Sequence, residues 1–259
     1  MGHKNLLYYE SKGQGEPLVL ISGLNTDHLF WALVQPFLEK HFKVITIDNR
    51  GAGKSQIFTP ECTTELMAQD VIDLLDSLNI QSASFIGHSL GGCVAQQIAL
   101  NFPKRVNKLV LCSTTAKLPP VNRITVQTTM EMMTVDMPRE ILVKSVLTRL
   151  FSNHFLSDDK RFKDAIKLSL SQSAEDARRI FTYQANALLK HDTTNILHNI
   201  TAPTFIISGE EDLSVPIKGA RYLADNIPTA KLLSVPDMGH MLPIEDPEYF
   251  SQCAVDFLR

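Results

Sequence analysis

The chain has 259 residues, enough for one large α/β domain with a full hydrophobic core or for two small domains. Its hydrophobic fraction of 44% and charged fraction of 20% are ordinary for a globular protein, and its formal net charge of −3 argues against a nucleic-acid-binding surface. No apolar run approaches the ~18 residues that a transmembrane helix needs. The first residues also lack the apolar core of a signal peptide, so we expect a cytoplasmic protein with no membrane partner.

The cysteines and histidines show no metal-binding spacing. Cys62, Cys93, Cys112 and Cys253 are widely spread, form no CxxC pair and fall inside strand and helix patterns, where we expect buried free thiols. None of the eight histidines has HxH or HExxH spacing. We therefore expect a reduced protein that needs no metal and no cofactor.

Apolar runs typical of strands alternate with amphipathic helical patterns over the first 117 residues. The predicted strands are Leu6–Tyr9, Leu18–Ser22, Val44–Asp48, Ser84–Ile86 and Leu109–Ser113. Helices are predicted at Phe30–Glu39, at Thr64–Leu78 and directly after Ser89. This alternation predicts the α/β class, with a doubly wound and mostly parallel sheet flanked by helices.

Between residues 118 and 199, helical periodicity replaces the strand signals. The predicted helices of this block are Asn122–Val135, Arg139–Phe151, Asp159–Ser171 and Ala174–Lys190. Alternation then resumes with strands at Thr204–Ser208 and Lys231–Val235, and with helices near Pro216–Asn226 and from Asp246. We therefore predict a core domain of residues 1–117 and 200–259. Residues 118–199 would form an inserted all-helical cap over the strand ends, where open α/β sheets bind ligands.

A serine stands between a predicted strand and a predicted helix, in Gly87-His88-Ser89-Leu90-Gly91. Gly-x-Ser-x-Gly in this context is the nucleophile elbow, in which a strained turn lifts the hydroxyl clear of the backbone. The glycines on either side allow the strand and helix to approach closely. Ser89 is thus the candidate nucleophile, and the alternative is a glycine-rich turn with an idle serine. His88 should point away from Ser89 and serve in packing.

A serine hydroxyl needs a general base, and the base needs an orienting acid. In elbow-type sites the chain order is serine, acid, histidine. Three acids follow the strand predicted at Thr204–Ser208, and Asp212 is preferred over its rivals Glu210 and Glu211 because it lies furthest into the loop. His240 follows the last predicted strand and is the candidate general base.

Acyl transfer also requires two N–H donors for the oxyanion that forms on the carbonyl oxygen. One is expected from Leu90, the residue after the nucleophile, and the other from the loop after an early strand. In that loop Gly23 permits a turn that aims the Leu24 N–H at the crevice. Asn25 is an alternative donor through its side chain.

Taken together, five motifs resemble those of the serine hydrolases of the α/β-hydrolase fold, over nearly the whole chain. They are the elbow, Ser22-Gly23-Leu24, Asp48–Ser55, Gly209–Asp212 with Pro216, and Gly239-His240. The one departure is Ser22, where the family usually has histidine, and that position lies outside the triad.

The segment Asp48–Ser55 also resembles the end of a phosphate-binding P-loop. The first glycine of that motif would fall at position 48, which is aspartate, so a nucleotide site is disfavoured. The resemblance to the hydrolases implies instead that this segment braces loops near the active site.

The resemblance implies hydrolysis of a carboxylic ester or lactone, a small-molecule substrate, through an acyl-enzyme on Ser89. Serine at the elbow, where haloalkane dehalogenases and epoxide hydrolases have aspartate, argues against those relatives. Two narrower likenesses are to 3-oxoadipate enol-lactonases, in the loop near Asn25 and in Ser113–Lys117, and to esterases that act on pimeloyl methyl ester bound to a carrier protein, in chain size and the four-helix cap. Neither is favoured over a general carboxylesterase. A ligand receptor of the same fold, with a slow or vestigial triad, remains an alternative of another class.

The substrate pocket is the least constrained part of the sequence. Methionine makes an adaptable apolar lining, so Met130, Met133 and Met241, together with Asn25, are candidate pocket residues, with ordinary core packing as the alternative. Arginines of the helical block could bind a carboxylate or a carrier protein, or be ordinary exposed residues: Arg123, Arg139, Arg149, Arg178 and Arg179. The chain is expected to be a monomer or a homodimer.

Overall fold

The computed structural model describes residues 7–55 and 60–259. Within them a seven-stranded sheet has the order β1-β3-β2-β4-β5-β6-β7. β1 pairs antiparallel with β3, and all other neighbouring strands are parallel. The predicted α/β class with a mostly parallel sheet is confirmed. The strands are β1 (Tyr9–Lys12), β2 (Pro17–Ile21), β3 (Lys43–Ile47), β4 (Ala83–His88), β5 (Val106–Cys112), β6 (Thr204–Gly209) and β7 (Ala230–Val235).

Helices cover both faces of this sheet. Among the described residues, none of them is both long and apolar enough to cross a membrane. Short 3₁₀ turns lie at His28–Trp31, Pro103–Arg105 and Leu197–Asn199. The α-helices are α1 (Gln35–Leu38), α2 (Thr64–Ser77), α3 (Leu90–Asn101), α4 (Pro120–Met132), α5 (Arg139–Leu150), α6 (Asn153–Ser157), α7 (Asp159–Ser171), α8 (Ala174–Lys190), α9 (Ile217–Asn226), α10 (Leu242–Glu245) and α11 (Pro247–Leu258).

Successive residues of the central strands pack on opposite faces of the sheet. In β2, Val19 and Ile21 join a core cluster with residues of α2 and α3. Leu18 and Leu20 join a second cluster with Trp31 and residues of α11. Because both faces are buried, the central strands are apolar throughout rather than alternating, and this made them recognisable in the sequence.

The first strand was predicted at the wrong place. It spans Tyr9–Lys12 rather than Leu6–Tyr9, and Leu6 itself lies outside the described residues. Leu7 is buried in the core without belonging to a strand. β1 is an exposed edge strand that pairs only with β3, so its residues are mostly polar and an apolar run does not mark it.

The helix predicted at Phe30–Glu39 is also wrong, because this segment divides into the 3₁₀ turn His28–Trp31 and the short helix α1. Pro36 lies in the first turn of α1, where its missing N–H is tolerated. The same proline would remove a hydrogen bond from the interior of a longer helix, which explains the break.

Between β5 and β6 the chain forms α4 to α8, and the described residues 118–199 contain no strand. α7 and α8 have the predicted bounds, while α4 begins two residues earlier than predicted, at Pro120. The short helix α6 was not predicted, and it begins where the Ser152 hydroxyl accepts a hydrogen bond from the Phe155 N–H. We refer to residues 118–199 as the helical block. Its interpretation as a cap stays a prediction.

All four cysteines are free thiols. Cys62, Cys93 and Cys112 are buried, as predicted, whereas Cys253 is only partly buried. Burial raises the pKa of the Cys62 thiol to about 11 and those of Cys93 and Cys112 to about 12, so these side chains behave as small apolar groups.

The turn between β4 and α3 is possible only because of its two glycines. A Cβ added to Gly87 would lie 2.4 Å from the Gly91 carbonyl oxygen, and one added to Gly91 would lie 2.1 Å from the Ile21 carbonyl oxygen. Both obstacles are backbone atoms, which cannot move aside as a side chain can. The glycines therefore set the distance between α3 and the strands β2 and β4.

We expect Gly91→Ala to lower the free energy of unfolding by at least about 1–3 kcal/mol, because the new methyl group overlaps the backbone of β2. Urea denaturation followed by circular dichroism measures this loss. Gly219→Ala is the comparison, since its Cβ would meet the Thr115 side chain at 2.9 Å rather than a backbone oxygen at 2.1 Å. Equal effects of the two substitutions would contradict the close approach.

Candidate active site

The three residues predicted to act together follow the carboxyl ends of three parallel strands. Ser89 follows β4, Asp212 lies in the loop after β6, and His240 lies in the loop after β7. Parallel strands end at the same edge of a sheet, so these loops share one crevice. All three residues are buried, with exposed fractions of 8% for Ser89, 2% for Asp212 and 4% for His240.

Asp212 and His240 form a direct hydrogen bond. The Nδ1 atom of His240 lies 2.7 Å from Oδ2 of Asp212. The other carboxylate oxygen accepts hydrogen bonds from the backbone N–H groups of Ser214, at 2.8 Å, and Val215, at 2.7 Å. A carboxylate beside Nδ1 favours the tautomer with its proton on that nitrogen, which leaves Nε2 as a proton acceptor.

The two rival acids are used elsewhere. Glu210 accepts a hydrogen bond from the Ser234 hydroxyl, and Glu211 accepts one from the backbone N–H of Asn153 in the helical block. Of the three acids in this loop, only Asp212 contacts His240. The preference for Asp212, based on its depth in the loop, agrees with this geometry.

Ser89 occupies a strained backbone conformation, with φ 54° and ψ −117°. Its N–H donates to the Cys112 carbonyl at 2.9 Å, and its own carbonyl accepts from the Thr114 hydroxyl at 2.8 Å. Such a conformation persists only where the surroundings over-determine it, and β5 with the residues that follow it provides that support. Within the described residues the Ser89 hydroxyl makes no hydrogen bond to His240, so the structure brings together the acid and the base but leaves the serine unpaired.

His88 connects the elbow to the loop that carries His240. Its Nε2 donates to the His240 backbone carbonyl at 2.9 Å, and its ring stacks on Phe30 with centroids 4.6 Å apart. Burial lowers the pKa of His88 to about 3, so the ring is neutral and its proton sits on Nε2. The side chain packs as predicted, and it also fixes the position of the histidine loop, a contact that the sequence did not reveal.

The two backbone groups predicted to form the oxyanion hole are free donors. Leu90 is the first residue of α3, and no hydrogen bond within the described part of the chain uses its N–H or that of Leu24. The Leu24 loop lies against the nucleophile, since a Cβ on Gly23 would be 3.2 Å from Cβ of Ser89. This geometry suits an oxyanion hole, and the role itself stays a prediction.

Asn25 has a left-handed backbone conformation, with φ 60°, and its N–H donates to Oε1 of Gln184 at 2.9 Å. Its own Oδ1 is buried and has no hydrogen-bond partner among the described residues. Gln184, on α8, also donates through Nε2 to the Arg50 carbonyl at 3.0 Å. This buried glutamine thus joins the oxyanion loop to the segment Asp48–Ser55, and sequence reasoning missed it because the residues it joins are far apart in the chain.

The segment Asp48–Ser55 braces the loops, as the resemblance implies. Asp48 accepts hydrogen bonds from the N–H and Nδ1 of His28 through one oxygen and from the Lys54 N–H through the other. Nδ2 of Asn49 donates to the Ser22 carbonyl at 2.9 Å, next to the oxyanion loop. Ligand atoms of Asp27, His28 and Asp48 lie within 4.8 Å of one another, but the Asp48 oxygens and the His28 Nδ1 are already hydrogen-bonded within the protein.

The predicted pocket methionines occupy different environments. Met130 and Met133 are half-buried, on α4 and at its end, and their role in a pocket stays a prediction. Met241 is buried in the core cluster that includes Phe250, and its N–H donates to the Leu150 carbonyl at 3.1 Å. For Met241 the structure therefore agrees with the packing alternative.

Glu245 is a buried acid that sequence reasoning missed. One carboxylate oxygen accepts from the Gly239 N–H at 3.0 Å, and the other accepts from the hydroxyl and N–H of Ser152. Burial raises the pKa of Glu245, whereas the hydrogen bonds from Ser152 and Gly239 act in the opposite direction. The carboxylate thus ties the helical block to the residue before His240. In the sequence Glu245 belongs to no motif that would distinguish it from the other acids.

The comparisons with known proteins agree with this architecture. The family profile for the α/β-hydrolase fold matches residues 16–247. The chain belongs to this family. A protein of Stutzerimonas stutzeri that carries the provisional name carbamate hydrolase RutD is 32% identical over 97% of this chain and 96% of its own length.

Two solved structures of the family are similar over almost the whole chain. An enol-lactonase from Burkholderia xenovorans has a TM-score of 0.85 at 28% identity and covers 97% of this chain and 96% of its own. A thermophilic esterase from Thermogutta terrifontis, solved with malate bound, has a TM-score of 0.86 at 26% identity and covers 98% and 93%. The chain is therefore similar to several α/β-hydrolases, and the names of these relatives indicate different substrates.

For Glu245→Gln we expect a kcat about 10-fold or more lower for any ester that the protein hydrolyses, with KM less affected. The amide NH₂ would face either the Gly239 or the Ser152 N–H, leaving one buried donor without an acceptor, at a cost of about 1–3 kcal/mol. Steady-state kinetics against pH and urea denaturation measure both effects.

The matched control is Glu248→Gln, the same change at an exposed position three residues later. It should leave kcat and stability unchanged. If Glu245→Gln behaves like this control, the carboxylate does not position the histidine loop.

Proposed function

We propose that this chain is a serine hydrolase that cleaves a carboxylic ester or lactone of a small molecule through an acyl-enzyme. The observation that supports it most is the buried hydrogen bond between Asp212 and His240, held beside the strained Ser89 at the same edge of the sheet. A buried aspartate that orients a histidine next to a nucleophile elbow is the arrangement that serine catalysis requires.

In the proposed reaction the Ser89 Oγ attacks the carbonyl carbon while Nε2 of His240 takes the hydroxyl proton. The N–H groups of Leu24 and Leu90 donate to the oxyanion. The tetrahedral intermediate then expels the alcohol, which receives the proton from His240, and Asp212 stabilises the imidazolium. Water enters by the same steps in reverse order and releases the acid. No cofactor takes part.

The missing hydrogen bond between Ser89 and His240 is compatible with this proposal. Because Nδ1 of His240 is held by Asp212, Nε2 is the nitrogen left for the serine. A rotation of the Ser89 side chain about Cα–Cβ changes the direction of its hydroxyl. Catalytic hydrogen bonds are often long or misaligned without substrate and tighten when it binds.

We also propose that residues 118–199 act as a cap over the site, with residues 1–117 and 200–259 as the core domain. Nδ2 of Asn122 donates to the carbonyls of Leu213 and Ser214, beside Asp212. The Ser214 hydroxyl donates to the Arg149 carbonyl, and Ser152 donates to Glu245. The helical block therefore contacts the loops of both the acid and the base, where a cap would control access.

The relatives support a second candidate, carbamate hydrolysis, because the Stutzerimonas stutzeri protein that bears this name covers 97% of the chain. The enol-lactonase neighbour supports the lactone reading. A serine nucleophile attacks all three kinds of carbonyl carbon with the same residues, so the triad does not distinguish them. A ligand receptor with a vestigial triad would keep the geometry and lack turnover.

The test combines 4-nitrophenyl esters, a lactone and a matched 4-nitrophenyl carbamate with covalent labelling by a fluorophosphonate. We expect a burst and turnover with the esters, labelling at Ser89, and at least a ~10³-fold loss of kcat in Ser89→Ala, because the nucleophile is removed. The ratio of kcat/KM values for ester, lactone and carbamate then assigns the substrate class.

The control is Ser234→Ala, which removes a hydroxyl near the end of another strand, where it bonds to Glu210 rather than to the triad. It should keep full activity and labelling. Wild-type turnover by Ser89→Ala would contradict the proposed nucleophile, and ligand-induced stabilisation of the wild type without any burst would favour the receptor.

A further inference from the structure

Arg149, near the end of α5, is a half-buried cation without an acidic partner. Its Nη2 donates to the Thr129 hydroxyl at 3.3 Å, and no carboxylate of the described residues lies within ion-pair distance. Burial lowers the pKa of Arg149, and no nearby acid opposes that effect. The contrast is Arg50, whose guanidinium forms two hydrogen bonds of 2.7 Å with the carboxylate of Asp70.

The guanidinium lies on the inner side of the helical block. Asn122, Val126, Thr129 and Met133 follow the i, i+4, i+7, i+11 spacing of one helix face. Asn122 and Thr129 are buried, and Val126 packs against the core cluster that Leu24 also contacts. Val121 and Ile124 lie on the opposite face and are more than 60% exposed. Because Arg149 bonds to Thr129, it reaches the inward face of α4.

The last turn of α5 lies between the two loops of the candidate active site. The Arg149 carbonyl accepts a hydrogen bond from the Ser214 hydroxyl, two residues from Asp212. The next carbonyl, that of Leu150, accepts one from the N–H of Met241, which follows His240. The backbone of Arg149 is therefore fixed against both the acid loop and the base loop.

The other arginines of the helical block that were considered as anion ligands have partners or are exposed. Arg123 donates to the Leu189 carbonyl at 2.5 Å, and Arg139 donates to the Ser169 and Leu170 carbonyls at the end of α7. Arg179 pairs with Asp176 on the surface, and Arg178 is exposed. Arg149 alone among these five combines partial burial, a position beside the triad loops and the lack of a carbonyl or carboxylate partner.

We propose that Arg149 is the anion subsite of this hydrolase, and that the substrate carries a carboxylate apart from the carbonyl that Ser89 attacks. The inference rests on the proposed function and narrows its substrate class to esters or lactones with one free carboxylate. A planar guanidinium binds a carboxylate through two parallel hydrogen bonds. One guanidinium balances one negative charge, so a neutral ester gains nothing from it.

The test compares 4-nitrophenyl hexanoate with mono-4-nitrophenyl adipate, which has the same chain length and a terminal carboxylate, and with the longer monoesters up to sebacate. In the wild type we expect at least one monoester to have a KM roughly 10- to 100-fold below that of the neutral ester of equal length, as for a charged hydrogen bond. In Arg149→Met this advantage should vanish, while kcat/KM for hexanoate changes less than about threefold. Arg149→Lys keeps the positive charge but loses the two parallel N–H donors of the guanidinium, so it should recover part of the KM advantage of the monoester.

Arg123→Met is the matched control. It removes the same charge from the same helical block, but from a side chain that is bonded to a backbone carbonyl. It should keep the preference for the anionic ester. Equal losses on both kinds of ester in Arg149→Met and Arg149→Lys, or no preference in the wild type, would overturn the proposal.

A failure of the proposed function is distinguishable from a failure of this inference. If Ser89 hydrolyses hexanoate and no monoester is preferred, only the anion subsite fails. If no ester is hydrolysed at all, thermal denaturation in the presence of adipate still tests whether Arg149 binds a carboxylate. Adipate should then raise the Tm of the wild type and of Arg123→Met, but not that of Arg149→Met, and an equal or absent shift in all three proteins overturns it.

Discussion

The close approach of β2, β4 and α3 is the constraint on which the candidate site depends. Neither Gly87 nor Gly91 has room for a Cβ, because carbonyl oxygens of neighbouring elements lie within 2.4 Å of where it would be. Together with the hydrogen bonds of Ser89 to Cys112 and Thr114, this contact fixes the strained turn at Ser89, and it leaves the first N–H of α3 without a partner among the described residues. It also places the Leu24 loop, which follows β2, directly against the nucleophile. The backbone thus sets the shape of the candidate site independently of the side chains of Asp212 and His240.

The sheet places the loops after its strands close together, and side chains then connect these loops by hydrogen bonds. Asp212 holds His240 through its ring, His88 holds the backbone of His240, and Glu245 holds Gly239. Each of these contacts is buried, where a hydrogen bond is stronger than in water and an unpaired group is more costly. The imidazole is therefore held by Asp212, and the backbone that carries it is held by His88 and Glu245, while the Ser89 hydroxyl makes no hydrogen bond to His240 within the described residues.

The sequence was sufficient where local pattern and structure coincide. The central strands are apolar on both faces, and the elbow must have small residues around Ser89, so both could be recognised. The edge strand at Tyr9–Lys12 has no such pattern, and the break before α1 depends on Pro36. Gln184 and Glu245 could not be found, since Asn25 lies 159 residues from Gln184 and Ser152 lies 93 residues from Glu245 in the chain.

In the proposed function, the core of this hydrolase supplies the reacting residues and its helical block selects the substrate. In the proposed function Ser89, Asp212 and His240 would act on any carbonyl carbon that a serine can attack, and the names of relatives with similar folds do indicate different substrates. Selection among substrates must then come from groups that contact the parts of the molecule that do not react. In this chain Arg149 and the inward face of α4 are placed to do so, because they belong to the proposed cap and bond to the loop that carries Asp212 through the Arg149 carbonyl and the Asn122 side chain. A partly buried guanidinium without an acid is costly to keep unless an anion binds to it.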